Sequence, residues 1–419
     1  MKYKISEIGK VVGGGTPSTK HAEYYSKNGI AWITPKDLSD YHKKYIGHGA
    51  KDISEEGLKN SSAKLLPVDS ILVSSRAPIG YVAMAGTDLA TSQGFKSIVP
   101  NTSKVMPEYL YYLMLKSKDK LEQIASGSTF KEISGKGMSN FTVDISELKE
   151  QKEIVQKLNP IFKKIEENDQ INDNLLELVD TLFDNIIKCS ILYKATLNDI
   201  GTIVGGGTPS KKVNVYWNGK IPWLTPKDLS KSHSIFTSKG TRFITEYGLK
   251  ESSARLFPTG TVLFSSRAPI GYISIAKNNI STSQGFKSII PNKGYSPEFI
   301  YELLKKETPL IIREANGSTF KEISGTRLKA HIVNIPSKAK AKYFDNSALA
   351  IFKLISKNEN ENKILKNLKK ELLNKIFWNV KLSFISVNTV FIVWFSKKRR
   401  FYNEKSWIRN NNSRNVTVP

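Results

Sequence analysis

Four of five short recurring blocks in this chain carry hydrogen-bond donors suited to phosphate oxygens and to the polar edges of bases. GSTFKEISG at 127–135 offers the Thr129 hydroxyl and the Lys131 ammonium beside a glycine that frees backbone N–H groups, a set that fits phosphate oxygens. SSRAPIGY at 74–81 sets Arg76 next to a proline turn. A guanidinium there can fork onto guanine O6 and N7 or clamp a phosphate. TSQGFKSI at 91–98 supplies Gln93, able to pair adenine bidentately, and Lys96; TPKDLS at 34–39 supplies Lys36. GGGTPS at 13–18 reads as a tight backbone turn with close packing rather than a ligand cradle. Each group also has a plainer use. S-T-x-x-E is a capping-box pattern, Arg76 can pair with a carboxylate at the edge of a core, and Lys36 can be an exposed turn lysine.

Every block occurs twice. GGGTPS returns at 205–210, TPKDLS at 225–230, SSRAPIGY at 265–272, TSQGFKSI at 282–289 and GSTFKEISG at 317–325. The second set of candidate contacts is therefore Lys227, Arg267, Gln284, Lys287, Thr319 and Lys321. The offset drifts only from 192 (205 − 13) through 191 (265 − 74) to 190 (317 − 127). Such a period is far too long for a solenoid, so the chain is a tandem duplication of a unit large enough for its own core.

Signatures of catalysis are missing. The glycine runs give neither a dinucleotide fingerprint nor a P-loop. Asn159-Pro160-Ile161-Phe162 lacks the second proline of an adenine-methyltransferase N-P-P-Y and sits in a helical segment. The five histidines form no metal-spaced pair, and Pro35-Lys36-Asp37 is too generic for a nuclease centre. No catalytic residue, metal site or cofactor is expected on the chain itself. The net charge of +25 at a sequence pI near 9.7 points to a polyanionic partner, of which nucleic acid is the commonest. Cys189 is the single cysteine, so there is no disulfide frame, and the reducing cytoplasm is the simplest compartment. The N-terminal stretch lacks an apolar signal core.

The elements that must position these groups follow from texture. Residues 1–145 and 193–335 read as strand-rich α+β recognition domains, with short apolar runs between Gly, Pro and Ser turns. Each contains one helix, at 107–121 and opening at Pro297. Residues 146–192 and 336–379 read as helical spacers. Ile171, Leu175, Leu178, Leu182 and Ile186 form a near-heptad seam, matched by Leu365, Leu368, Leu372 and Ile376. Two such seams predict an antiparallel coiled coil and a pseudo-twofold molecule. Pro160 and the polar stretches 168–174 and 357–363 predict a kink or a broken turn rather than straight rods. Residues 380–419 have no counterpart in the first copy and hold eight lysines and arginines against one glutamate, +7 of the net charge. Their apolar run at 384–395 is too short for a membrane span, so an atypical, poorly ordered tail and no membrane partner are expected.

The order GGGTPS, W-[IL]-T-P-K-D-L, SSRAPIG, TSQGFKS, GSTFKEIS and a long helix, given twice over residues 1–378, resembles the specificity subunit (HsdS) of type I restriction-modification systems. The resemblance implies two target-recognition domains on paired helices, reading a bipartite double-stranded DNA target. It also implies a non-catalytic chain, joined by two methyltransferase (modification) subunits and by restriction subunits. S-adenosylmethionine, ATP and Mg would belong to those partners. Two features depart from the pattern. The helix start Leu148-Lys149-Glu150-Gln151 has no counterpart at Ser337-Lys338-Ala339-Lys340, and the tail after Trp378 is unusual. A self-contained DNA-acting enzyme and a general basic nucleic-acid-binding protein are the alternative readings. Because the five blocks are identical in both copies while 40–51 differs from 231–242 and 85–89 from 276–280, the two target halves are expected to be near-inverted repeats.

Overall fold

The structure is a computed structural model that describes residues 1–378, apart from 40, 42, 128–130, 231–233 and 318–320. It comprises two compact units, Met1–Phe162 with the chain from Asn367, and Lys163–Lys366. The predicted tail at 380–419 lies outside the described residues, as do Thr129 and Thr319.

In the first unit a five-stranded sheet runs Gly9–Gly13, Lys96–Pro100, Ile71–Val73, Val82–Ala85, Tyr45–Ile46. A four-stranded sheet runs Tyr25–Ser26, Lys51–Ile53, Ile30–Ile33, Ala90–Thr91. Pairing is antiparallel except at the last neighbours of each sheet, Tyr45 beside Met84 and Trp32 beside Ala90. The first strand, Lys2–Lys4, pairs with Thr142–Asp144, so the domain closes on itself just before its long helix begins. Ile33, Leu72, Ala85, Leu89 and Phe95 are buried where the strands bring the apolar runs together. The second unit repeats the five-stranded sheet, Thr202–Gly205, Lys287–Ile290, Val262–Ser266, Ile270–Ala276, Phe236–Thr237, while its four-stranded sheet runs Arg242–Ile244, Trp217–Leu224, Ile280–Thr282, Leu256–Phe257. Leu192–Thr196 pairs with Ile332–Pro336 to close it.

The helix expected at 107–121 is two: Pro107–Lys116 and Lys118–Ile124. Buried Ser117 interrupts it, its hydroxyl donating to the Leu113 carbonyl at 2.8 Å. In the second copy one helix runs from Pro297 to Glu314.

The spacers are helices of 41 residues each, Leu148–Lys188 and Lys338–Trp378. The break expected near Pro160 does not occur. Pro160 and Gln156, the residue whose carbonyl it leaves unpaired, are both exposed, so water can meet that carbonyl. The polar stretches lie within the unbroken helices and are where the helices touch. Within the second unit Asn168 donates to Asn362 at 2.9 Å and Asn358 donates to Asn172 at 2.9 Å, which makes the pairing antiparallel.

This contact corrects the seam. Ile171 and Leu178 are 41% and 47% exposed, whereas Asn172 and Val179 are buried. The buried or half-buried stripe steps through Ile165, Asn168, Asn172, Leu175, Val179, Leu182 and Ile186 by threes and fours. Two of its positions are asparagines, so an apolar pattern alone selects Ile171 instead. On the second helix Leu365 and Leu372 are buried and Leu368 and Ile376 half-buried, with the stripe continuing through Phe344, Ala348, Phe352 and Ile355. The first helix also serves the core of the second unit. Phe183 meets Phe299 and Phe344 at centroid distances of 5.3 and 5.4 Å, so its stripe faces a domain as well as a partner helix.

Candidate functional site

The repeated blocks converge. Gly14 and Gly15 donate to the carbonyls of Phe95 and Thr91 at 3.2 and 2.8 Å, and the Trp32 indole donates to the Gly15 carbonyl at 3.0 Å. Glycine is required at 14 because a Cβ there would stand 2.0 Å from the Ser92 carbonyl oxygen. Gly94 lets Pro35 pack on the loop before Phe95, where a Cβ would lie 2.8 Å from the proline ring. Ser75 N–H donates to the Gly94 carbonyl at 2.7 Å and Ile133 N–H to the Ser75 carbonyl at 3.0 Å, lacing three blocks together. The second unit is built alike: Ser266 to Gly285 at 2.8 Å, Ile323 to Ser266 at 3.0 Å, and Trp223 to Gly207 at 2.9 Å. GGGTPS is thus a packing turn, as its composition suggests.

The side chains on this frame follow local logic. In TPKDLS, Asp37 caps a short turn, accepting from Thr34 N–H and hydroxyl at 2.7 and 2.6 Å and from Ala50 N–H at 2.9 Å. Its counterpart Asp228 is pushed up by burial, but hydrogen bonds from Thr225 and Thr241 prevail and hold it below the usual carboxylate range. The carboxylate thus serves the backbone and leaves Lys36 and Lys227 exposed beside it. Gln93 and Gln284 are also exposed, on loops whose N–H groups lie 3.4 Å from the hydroxyls of Thr16 and Thr208. Lys131 and Lys321 are exposed as well.

Arg76 and Lys96 are half-buried, and one acid holds both. Glu132 of the repeated nonamer lies 3.4 Å from the Arg76 Nη1 and 3.2 Å from the Lys96 Nζ. Glu322 repeats this with Arg267 at 3.4 Å and Lys287 at 3.9 Å. Burial lowers the pKa of Lys287, opposed by Glu322 and aided by Arg267. The capping-box reading of this nonamer belongs one step later, where Ser134 and Ser324 cap short helices. In sequence Glu132 stands out only as the sole carboxylate among three repeated blocks that together hold three cations. An open cleft of about 530 Å³ adjoins it, lined by Arg76, Pro78, Ile79, Glu122, Lys131 and Glu132.

The divergent loops are rooted on the long helices. Lys44 donates to Asn159 at 3.0 Å in the first unit, while in the second Glu359 accepts from Ile235 and Phe236 N–H at 2.6 and 3.3 Å. Among the described residues no His, Cys, Asp and Glu cluster could hold a metal ion, and no helix is long and apolar enough to cross a membrane.

The profile of the type I restriction modification DNA specificity domain matches residues 1–177 and again 193–374. The chain belongs to this family. The specificity subunit of the type I restriction enzyme MjaIX of Methanocaldococcus jannaschii is 30% identical over 405 residues, covering 89% of this chain and 91% of the relative. The HindI specificity subunit of Haemophilus influenzae is 23% identical over 424 residues, covering 81% and 88%. Among solved structures, the type I S subunit from M. genitalium aligns with a TM-score of 0.56 at 15% identity, covering 91% of this chain and 96% of that one. The fold is therefore that of a type I specificity subunit, two α/β domains in tandem with packed long helices. The function of this specificity subunit is DNA sequence recognition.

Proposed function

We propose that this specificity subunit reads a bipartite duplex through the face carrying Lys36, Arg76, Gln93, Lys96 and Lys131 in one unit and Lys227, Arg267, Gln284, Lys287 and Lys321 in the other. The observation that carries this reading is the construction of one cationic, amide-bearing face twice, on the same frame, in a chain of net charge +25. Exposed lysines suit phosphates, which position a protein without reading sequence, while glutamine suits base edges and arginine suits either. The identical blocks favour half-sites that are inverted repeats at most positions. Differences between the halves would come from the loops at 40–51 and 231–242.

The chain itself neither cuts nor methylates. It directs two modification subunits to adenine and restriction subunits to unmodified DNA, in the cytoplasm, with S-adenosylmethionine, ATP and Mg on those partners. The deciding experiment is to co-express the chain with its modification subunit and map methylated adenines. A gapped motif with closely related inverted halves is expected. A motif with unrelated halves would move base readout to the divergent loops, and methyl transfer by the purified chain alone would refute the non-catalytic role.

A further inference from the structure

In both units the two half-buried cations of the interface share one acid. The Glu132 oxygens are divided, Oε2 to Arg76 and Oε1 to Lys96, and Glu322 turns the same oxygens to Arg267 and Lys287, the lysine standing off at 3.9 Å and donating to the Gln284 carbonyl. That is how two phosphate oxygens would be shared by a guanidinium and an ammonium. The acid's place is set by backbone: Glu132 N–H donates to the Ser126 carbonyl at 2.9 Å and its carbonyl accepts in return at 3.1 Å, and Glu322 does so with Asn316 at 2.8 and 3.1 Å.

The arginine–glutamate pairs are open to water, while Lys96 and Lys287 sit deeper, 15% and 19% exposed. Arg76 and Glu132 are 36% and 38% exposed, and Arg267 and Glu322 are 37% and 41% exposed. An arginine–glutamate pair in such a setting contributes only weakly to stability. That is little for a frame already laced by backbone hydrogen bonds, and little enough to be exchanged for a bound anion. In the first unit the cleft beside Arg76, lined by Lys131 and Glu132 and also by Glu122, leaves room for one. Until exchanged, the carboxylate repels any phosphate that approaches the two cations. Repulsion of this kind weighs most on non-specific binding, which rests almost wholly on phosphate contacts. A specific duplex adds base contacts that offset it. Selectivity of this sort arises from a built-in repulsion rather than from an added attraction.

We infer that Glu132 and Glu322 are specificity-determining residues: each stands in for a DNA phosphate, keeping its Arg and Lys in place and opposing duplexes that offer only phosphates. This inference rests on the DNA-facing reading proposed above.

The test is the full chain carrying Glu132→Gln and Glu322→Gln, with fluorescent duplexes holding the mapped target or a scrambled one, titrated across salt. Affinity for the scrambled duplex should rise roughly three- to tenfold at about 0.15 M salt, with a salt slope steeper by about 0.9 for each additional phosphate bound. Affinity for the target should rise less, narrowing the ratio. Glu132→Ala with Glu322→Ala should act alike, since removal of charge is the cause. Scrambled-duplex affinity that stays level or falls in the Gln pair overturns the inference and leaves the acids a positioning role. Arg76→Ala with Arg267→Ala separates the two layers. If that pair binds both duplexes as the unaltered chain does, the DNA-facing reading itself fails. If it weakens binding while the Gln pair binds no tighter, only the stand-in role fails.

Discussion

Asn168 donates its side-chain amide to Asn362 Oδ1 at 2.9 Å between the two long helices, with both residues buried. Four residues on, Asn172 accepts from Asn358, four residues back along the other helix, at 2.9 Å. By the repeat offset of 190 (317 − 127), Asn358 and Asn362 are the counterparts of Asn168 and Asn172. Each copy's asparagines therefore meet the other's in reverse order. Slipping the helices would set amides against Leu or Ile, and a buried polar group without a partner costs about 1–3 kcal/mol. The layer sacrifices some apolar burial and fixes register instead.

Asn168→Ala and Asn362→Ala should each destabilise the chain by about 1–3 kcal/mol, with a coupling between them of about 0.5 kcal/mol or more. Chemical denaturation of both single variants and the double variant measures this. Strictly additive losses would mean that the two amides do not stabilise one another.

The second unit should lose stability as pH rises toward 8. Burial pushes the Glu302 carboxyl up to about 8, against Lys305 and with Asp180, and burial pushes Glu359 up to about 7 against its backbone donors. Between the ordinary glutamate range and those values the folded state holds protons that the unfolded chain has released, so stability falls with pH across that window. His331, raised by Glu307 and Glu314 against the effect of burial, adds a loss above its ordinary range. Glu302→Gln should flatten the profile and stabilise the chain at pH 8 by on the order of a few kcal/mol. Melting temperatures from pH 5 to about 8.5 check it, and a variant as steep as the parent would exclude Glu302 as the source.

Lys131→Ala and Lys321→Ala should weaken binding to all duplexes alike, each flattening the log–log salt slope by about 0.9. Gln93→Ala or Gln284→Ala should relax discrimination at one base position, by about 1–3 kcal/mol. Equal losses on every sequence for all four would show that none of them reads a base.

Seven residues inserted in both long helices, after Phe162 and after Lys366, should lengthen the unspecified gap of the target by about three base pairs. The insertion adds about 10 Å of helix, at 3.4 Å per base pair. The half-sites themselves should stay unchanged in the methylation motif. Insertion in one helix alone should destabilise the chain, because the Asn layer and the Lys369 contact with Phe162 then demand different registers. A gap indifferent to the paired insertion would remove the spacer role.

The sequence by itself determined the duplication, the domain texture, the two long helices and the family, because repeated blocks and helical periodicity are local and survive without coordinates. It also showed that GGGTPS packs rather than binds, since three glycines before Thr-Pro favour close backbone approach. Only the tertiary structure decided which helix face is buried. Asn168 and Asn172 look solvent-facing in one dimension and become interior, Asn168 donating to Asn362 and Asn172 accepting from Asn358. It likewise brought Glu132 to Arg76 and Lys96 across 56 and 36 residues of chain. No spacing rule encodes that meeting. It follows from strands and loops that pair far along the sequence, with the backbone bonds Ser75 to Gly94 and Ile133 to Ser75 bringing the three blocks together.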